Sequence, residues 1–398
     1  MVARSFAAIA ASLALLASAS PVERREQVVK LPLKKKVTST SSAREFLAKE
    51  AVRVSSFATA ASTGTATAVN EDSCYFTTLT IGTQSFSELI VDTGSSNTWV
   101  GAGTKYVKSS TGTSTGKSFS VTYGSGTVKG TEYTDTVTFG GLTVVGQSIG
   151  VASSSSGFSG TDGIVGFGPV ILTEGTVSGT TEVPTLMDNL KSNGAISTEV
   201  LGVYFTPVTG SNVEESNGEL TIGGVDTAKY TGTLTYFSKS TTSPYSYYWG
   251  IDTTSMSYGS TSLSSAASAI VDTGTTLIYI PTSAYNKFLT ASGGTTDSTQ
   301  GIPRFSTAPT GNFTITIGGV AYVMTPSMYL IPTAQLSVWG LSTKYSWSWI
   351  ANGGSTAADV NFIIGMKFLE HFYSVYDTTN SRIGKQAFHY SPAHKAPH

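Results

Sequence analysis

One short frame occurs twice in this chain. Val-Asp-Thr-Gly-Ser-Ser occupies residues 91–96, and Val-Asp-Thr-Gly-Thr-Thr occupies 271–276. Asp92 and Asp272 hold the same place in each copy. A repeated acid in a repeated turn implies two similar lobes related by a pseudo-two-fold axis, with the acids meeting at that axis. Two carboxylates so close cannot both ionise cheaply, so they share a proton. One then serves as base and the other as acid, which suits attack of water on an amide. A single Asp-Thr-Gly is ordinary turn chemistry. The matching flanks set these two apart.

A second echo supports the duplication. Asp-Gly-Ile-Val-Gly-Phe-Gly at 162–168 follows the first frame, and Asn-Phe-Ile-Ile-Gly-Met-Lys-Phe-Leu at 361–369 follows the second. Each carries an apolar pair ahead of a glycine, and each is expected to pack beneath its acid-bearing loop. Around these frames the chain reads as short strands rich in β-branched and aromatic residues. They are predicted at 75–81, 86–91, 119–123, 137–139 and 142–151, then at 220–222, 234–237, 270–271, 277–280, 313–317 and 373–376. The pairs Gly140-Gly141, Gly223-Gly224 and Gly318-Gly319 read as tight turns between strands. Helices are predicted only at 185–193 and 282–289. The fold class is all-β, bilobal, with a cleft between the lobes.

Composition narrows the function. Charged residues are only 12% of the 398 residues, against 39% hydrophobic, which suits a neutral polar surface over a strand-rich body. Residues 1–20 have the pattern of a signal peptide: Arg4, an apolar run over 6–16 and small residues at 17–20. The protein is expected outside the cell, with a vacuole-like compartment as the alternative, and no later run is long enough to span a membrane. Cys74 is the single cysteine, so no internal disulfide forms, and it reads as a buried inert thiol. The four histidines all lie at or after His371, a poor basis for a metal cluster or a Ser-His triad. Neither metal nor cofactor is expected.

Charge is unevenly placed. Residues 1–53 carry ten basic and four acidic residues, net +6; residues 54–398 carry fourteen and twenty-one, net −7. A basic leader on an acidic body is attracted near neutral pH and released when carboxylates protonate. This leader (21–72, linker included) therefore reads as an intramolecular inhibitor, with cleavage expected within 60–73. Lys35 or Lys36 is the expected lysine on the carboxylate pair. Nucleic acid is a poor partner for such a body. The lobes are placed at 73–235 and 236–398.

From 73 to 386 the chain resembles the pepsin-type aspartic proteases. The resemblance rests on I-V-D-T-G-S-S-N-T-W-V from Ile90, Y-G-S-G from Tyr123, D-G-I-V-G-F-G from Asp162, I-V-D-T-G-T-T from Ile270 and the segment from Asn361. The lack of disulfides and the wording of the first site are most similar to the polyporopepsin group of basidiomycete fungi, secreted acid proteases with milk-clotting ability. The resemblance implies a pepsin-like fold and a zymogen, with Asp92 and Asp272 as the catalytic dyad. It implies that Ser95 and Thr275 bond the outer carboxylate oxygens while Gly94 and Gly274 admit backbone N–H groups to the inner ones. Tyr123, Gly124 and Ser125 would form a flap, with Trp99 receiving the tyrosine hydroxyl. Ile90 and Ile164 would line the pocket before the scissile bond. Protein and peptide substrates, statine-type inhibitors, a monomeric state and apolar or aromatic preference beside the cut follow from the same source. Many relatives have Gly-Asp where this chain has Gly365-Met366. Asn312 begins an N-x-S/T sequon and is a candidate glycosylation site.

Two other readings compete. A silent binding module on this fold would lose an acid, a hydroxyl partner or the flap tyrosine, and none is lost. A cell-wall protein would show long repeats or an anchoring tail, and the final residues are not apolar.

Overall fold

The β-branched and aromatic runs do become strands. A computed structural model describes residues 28–37, 73–123, 126–208, 210–211, 214–355 and 360–387. The signal-peptide pattern, the 60–73 cleavage bracket up to residue 72, and the tail after 387 fall outside the described residues. Among those described, thirteen strands form one sheet, eight form a second and three a small third. The protein is all-β and bilobal. The large sheet begins with strands of the first half and also takes Phe372–Asp377 and Arg382–Ala387 from the far end of the chain.

Most predicted strands appear, generally longer than predicted. Ser73–Ile81 and Gln84–Asp92 pair antiparallel, as do Gly126–Phe139 and Leu142–Ser156. Gly140 and Gly141, at φ of 58° and 83°, make the turn joining the latter two, the left-handed pair that matches hairpin twist. Gly318-Gly319 does the same between Phe313–Ile317 and Val320–Met324. Gly223-Gly224 instead leads from Glu214–Ile222 into the short helix Thr227–Lys229, not into another strand. The helix predicted at 185–193 is Leu186–Ser192, capped reciprocally by Thr185 and Asp188. The other extends over Thr282–Ser292 and stops at Gly293, φ 72°.

The leader contributes a strand that sequence reasoning does not predict. Val29–Val37 lies between Glu214–Ile222 and Ser73–Ile81, antiparallel to both. Only Lys34 to Lys36 are paired on both edges, and the register shifts between Leu33 and Lys34. Pro32, which has no N–H to give a ladder, precedes the doubly paired section. Leu33 is buried in the largest core cluster. That cluster also holds Val91 and Val165 below the first acid loop and Val271 and Ile364 below the second, so one apolar body supports both acids. Trp249 adds a tie: its indole N–H donates to the Phe167 carbonyl at 2.8 Å, and its carbonyl accepts from Val271 N–H at 2.9 Å.

Candidate active site

Asp92 ends one strand and Asp272 directly follows another. Gln84–Asp92 runs parallel to Gly163–Gly166, with Asp92 opposite Gly166. Ala267–Val271 runs parallel to Ile363–Ile364, and Asp272 N–H donates to the Ile364 carbonyl at 3.2 Å. The two echo segments therefore lie alongside the acid strands, as expected. Their glycines allow close approach. A Cβ on Gly166 would come within 2.4 Å of the Ser96 backbone, and one on Gly365 within 2.1 Å of the Leu277 carbonyl oxygen. Phe167 N–H donates to the Asp92 carbonyl at 2.7 Å, and Met366 N–H to the Thr275 carbonyl at 2.6 Å. Both loops are thus fixed from below.

The carboxylates are cradled alike. Gly94 N–H donates to Asp92 Oδ1 at 2.8 Å and Ser95 Oγ to Oδ2 at 2.6 Å. Gly274 N–H donates to Asp272 Oδ1 at 2.9 Å and Thr275 Oγ1 to Oδ2 at 2.5 Å. Between them the loops cross. Thr93 N–H donates to Thr273 Oγ1 and Thr273 N–H to Thr93 Oγ1, both at 3.0 Å. Each hydroxyl in turn donates to the opposite strand, Thr93 to the Val271 carbonyl at 3.2 Å and Thr273 to the Val91 carbonyl at 2.9 Å. Four hydrogen bonds therefore join two turns 180 positions apart. Asp92 and Asp272 are fully buried in the chain as described.

The residue pattern, the paired cradles and the bilobal fold all agree with one further finding. The family model for eukaryotic aspartyl protease matches residues 74–387. The chain belongs to the eukaryotic aspartyl proteases. It is 46% identical over 328 residues to polyporopepsin of Irpex lacteus, covering 81% of this chain and 96% of that protein. It is 33% identical to gastricsin of Cavia porcellus over 79% of this chain and 80% of the relative. The crystal structure of the aspartic proteinase from Irpex lacteus superposes with a TM-score of 0.78 at 40% identity, covering 92% of this chain and 99% of that one. The chain is thus an aspartic-type endopeptidase, similar to the polyporopepsin group.

Beside the protease's first acid strand, the apolar residues expected to line a pocket pack together from adjacent strands. Ile164 is registered against Ile90 on one side and Trp99 on the other. All three share a cluster with Tyr123 at the end of Thr113–Tyr123. The Trp99 and Tyr123 rings lie 6.1 Å apart, and Phe158 packs edge-on to both, at 4.8 and 5.2 Å. The Trp99 indole N–H and the Tyr123 hydroxyl are buried, and neither has a hydrogen-bond partner among the described residues. The expected Trp99–Tyr123 contact is present as ring packing, with the indole close enough to the hydroxyl to lower its pKa as a hydrogen-bonding neighbour but outside ordinary hydrogen-bond geometry. Burial, and then the Asp92 carboxylate, push the Tyr123 hydroxyl well above its ordinary pKa. Gly124 and Ser125 lie outside the described residues; Tyr123 and Gly126 face each other across the gap.

Neither Lys35 nor Lys36 is on the aspartates. Lys35 Nζ pairs with Glu370, and Lys36 with Glu88 at 3.6 Å. The physical reason is the strand itself: its register against Tyr75 and Cys74 fixes where both lysines start. Lys30 reaches Asp226 at 2.7 Å and Lys34 reaches Glu214 at 2.6 Å, so the basic leader does lie on acidic partners. Met366 is buried in the core and needs no polar partner. Cys74 is buried, and Asn312 is exposed just ahead of Phe313–Ile317. Sequence reasoning missed Thr93, Thr273 and Phe158. The first two stood in plain view as the middle residue of each frame; nothing local marks Phe158.

Proposed function

We propose that this protease is a secreted acid endopeptidase whose water nucleophile is activated between Asp92 and Asp272. The observation that carries the reading is the crossed pairing of Thr93 and Thr273 beneath two identically cradled carboxylates. Such a frame holds two acids at fixed spacing, so little reorganisation accompanies reaction. With one proton shared, the ionised acid takes a proton from water as its oxygen attacks the peptide carbonyl carbon. The protonated acid gives its proton to the carbonyl oxygen. Collapse of the tetrahedral diol breaks the C–N bond, the amine nitrogen receives a proton, and the pair returns with one proton. The need for one ionised and one neutral acid sets an acidic optimum.

Tyr123, with Gly124 and Ser125 at its tip, is proposed to close over the substrate and exclude water. Ile90, Ile164 and Trp99 give an apolar wall, which supports a preference for apolar or aromatic side chains beside the cut. Lobes of 73–235 and 236–398 would bound an extended cleft binding protein and peptide substrates as strands. The leader acts as intramolecular inhibitor, a reading supported by its ion pairs to Asp226, Glu214, Glu88 and Glu370. Residues 1–20 direct secretion, the mature start lies within 60–73, Asn312 is an accessible glycan acceptor, and the enzyme acts as a monomer without cofactor. Statine-type inhibitors, whose hydroxyl stands where the attacking water sits, should block it, and milk clotting is the expected practical activity.

The test is digestion of a denatured protein at acid pH, with and without a statine-type inhibitor, with N-terminal sequencing of the processed chain. Asp92→Asn and Asp272→Asn should each lower kcat/KM by about a thousandfold or more with the melting temperature little changed. Ordinary turnover in either variant, or a rate climbing steadily above neutrality, would overturn the reading.

A further inference from the structure

Away from the dyad, the protease holds a cavity of about 480 Å³ whose described lining includes neither aspartate nor any residue of the Ile90–Tyr123 cluster. Its walls are apolar, formed by Met328, Leu330, Trp349 and Phe372, and its rim carries the exposed Thr325 and Ser327. Its floor is charged. Lys367 and Glu370 line it and are each at most 3% exposed, with His371 beside them.

The floor charges do not balance. Glu370 accepts from two lysines, Lys35 of the leader and Lys367 at 3.1 Å, and Lys35 is as buried as Lys367. Among the described residues no second carboxylate forms an ion pair with either lysine. Two buried ammonium groups thus share one carboxylate. An uncompensated buried cation is costly, and it is relieved by an anion or by loss of a proton. Lys367 Nζ donates to both Glu370 oxygens, at 3.1 and 3.4 Å, and its ammonium lies 4.4 Å from the Trp349 ring centroid. An ammonium has three donors, and Glu370 takes at most two of them, which leaves one for a ligand beside the Trp349 ring. Burial draws Lys367 down to about 7, and the neighbouring Lys35 pushes the same way against Glu370.

We propose that this cavity is a second binding site, for an amphipathic carboxylate whose acid group pairs with Lys367 and whose apolar body lies against Met328, Trp349 and Phe372. The volume falls within the range of small-molecule sites. The chemistry has two sources: peptides released by endoproteolysis, which end in a carboxylate, and free aliphatic or aromatic acids. The missing charge exists only while Lys35 is docked. The ligand therefore binds the leader-bearing form in preference to the mature one, and by linkage it holds the leader in place.

The experiment uses the full-length chain in an Asp92→Asn background, which keeps binding separate from proteolysis, at mildly acidic pH. Titration calorimetry would compare octanoate, 3-phenylpropionate and a short peptide ending in phenylalanine, each against its amide. The carboxylates should bind about tenfold or more tightly than the amides and raise the melting temperature. Lys367→Met and, separately, Lys35→Met should each erase that preference in chains whose circular dichroism is unchanged. Tighter binding of the peptide identifies products as the source, and tighter binding of the free acids identifies the other. Equal binding of acid and amide, no binding of either, or a preference that survives in both lysine variants would overturn the site. None of these readouts depends on catalysis, so a failure here is distinct from failure of the dyad.

Discussion

The hydroxyls of Thr93 and Thr273 each accept one hydrogen bond and donate another across the lobe boundary. Valine has nearly the same shape but can do neither. In Thr93→Val the Thr273 N–H and the Val271 carbonyl lose their partners in a fully buried setting. Leaving such groups unpaired costs about 1–3 kcal/mol each, against almost no change in packing. Thr93→Val should therefore lower stability by about 2–4 kcal/mol in urea melts and reduce kcat more than it raises KM, because the acids lose their fixed spacing. Thr93→Ser, which keeps the hydroxyl, should recover most of both losses. A valine variant with ordinary stability and kcat would mean the crossing is incidental. The acids and the apolar segments beneath were legible from repetition, because each copy is contiguous in sequence, and the glycine and hydroxyl cradles were legible from the family resemblance. The crossing was not, since its partners are 180 positions apart and a threonine after an aspartate looks like any turn residue.

Among elements, the leader strand Val29–Val37 shows the greatest gap between sequence and structure. Its lysines and Pro32 argue against a strand in the middle of a sheet, and its partners lie at Ser73–Ile81 and Glu214–Ile222. Gly250–Tyr258 was missed for another reason: its Ser/Thr-rich run hides Ile251, Met256 and Tyr258, which are buried on either side of register shifts. Helices with local caps, such as Leu186–Ser192, needed no distant partner and were found. Two effects hold the leader, and they differ in size and in pH response. Leu33, 1% exposed, contributes burial, and truncation of such a side chain costs about 2–5 kcal/mol. The pairs at Lys30 and Lys34 are half-exposed and weak. They nonetheless set the pH dependence. The Lys34 contact holds Glu214 below its ordinary pKa, and Lys30 does so for Asp226 although burial opposes it. A carboxyl with a depressed folded pKa gives stabilisation that is present above its unfolded value and lost as pH falls through the folded one. Leader release should follow acidification. Leu33→Ala should speed conversion of the precursor at every pH, whereas Lys30→Gln with Lys34→Gln should move conversion to higher pH. A time course read by gel and N-terminal sequencing distinguishes the two, and identical pH profiles for all three chains would remove the ion pairs from the argument.

At the scale of the whole molecule, acidity suits the body as well as the dyad. Residues 73–398, the chain without its leader, carry fourteen basic and nineteen acidic residues, net −5, a self-repulsion that fades as carboxylates protonate. Glu132 adds a specific term. It is 3% exposed, one oxygen accepts from Ser148 Oγ, and the other has no partner among the described residues. Burial pushes its pKa from 4.5 up to about 7, against the Ser148 hydrogen bond. Burial, and then Asp188, raise Glu199 in the same direction. For a carboxyl raised on folding, the native state binds more protons than the unfolded chain between the two values, so stability falls as pH rises from about 4.5 to about 7 and then levels. The loss from Glu132 is about 3 kcal/mol. Lys385 is buried with no hydrogen-bond partner for its ammonium among the described residues, and burial draws it down to about 7. Its penalty is constant below that value and is relieved only as pH climbs toward 10.5, so it adds no slope in the acid range. Glu132→Gln, which keeps the shape and cannot ionise, should therefore leave stability near pH ~4 almost unchanged and raise it by about 2–3 kcal/mol near pH ~7. Denaturant melts of the two chains across that interval, in an Asp92→Asn background that cannot digest itself, measure the difference directly. A gain of equal size at both ends would assign the effect to packing, and no gain at either would mean that the Glu132 carboxylate is ionised at no cost inside the folded protein.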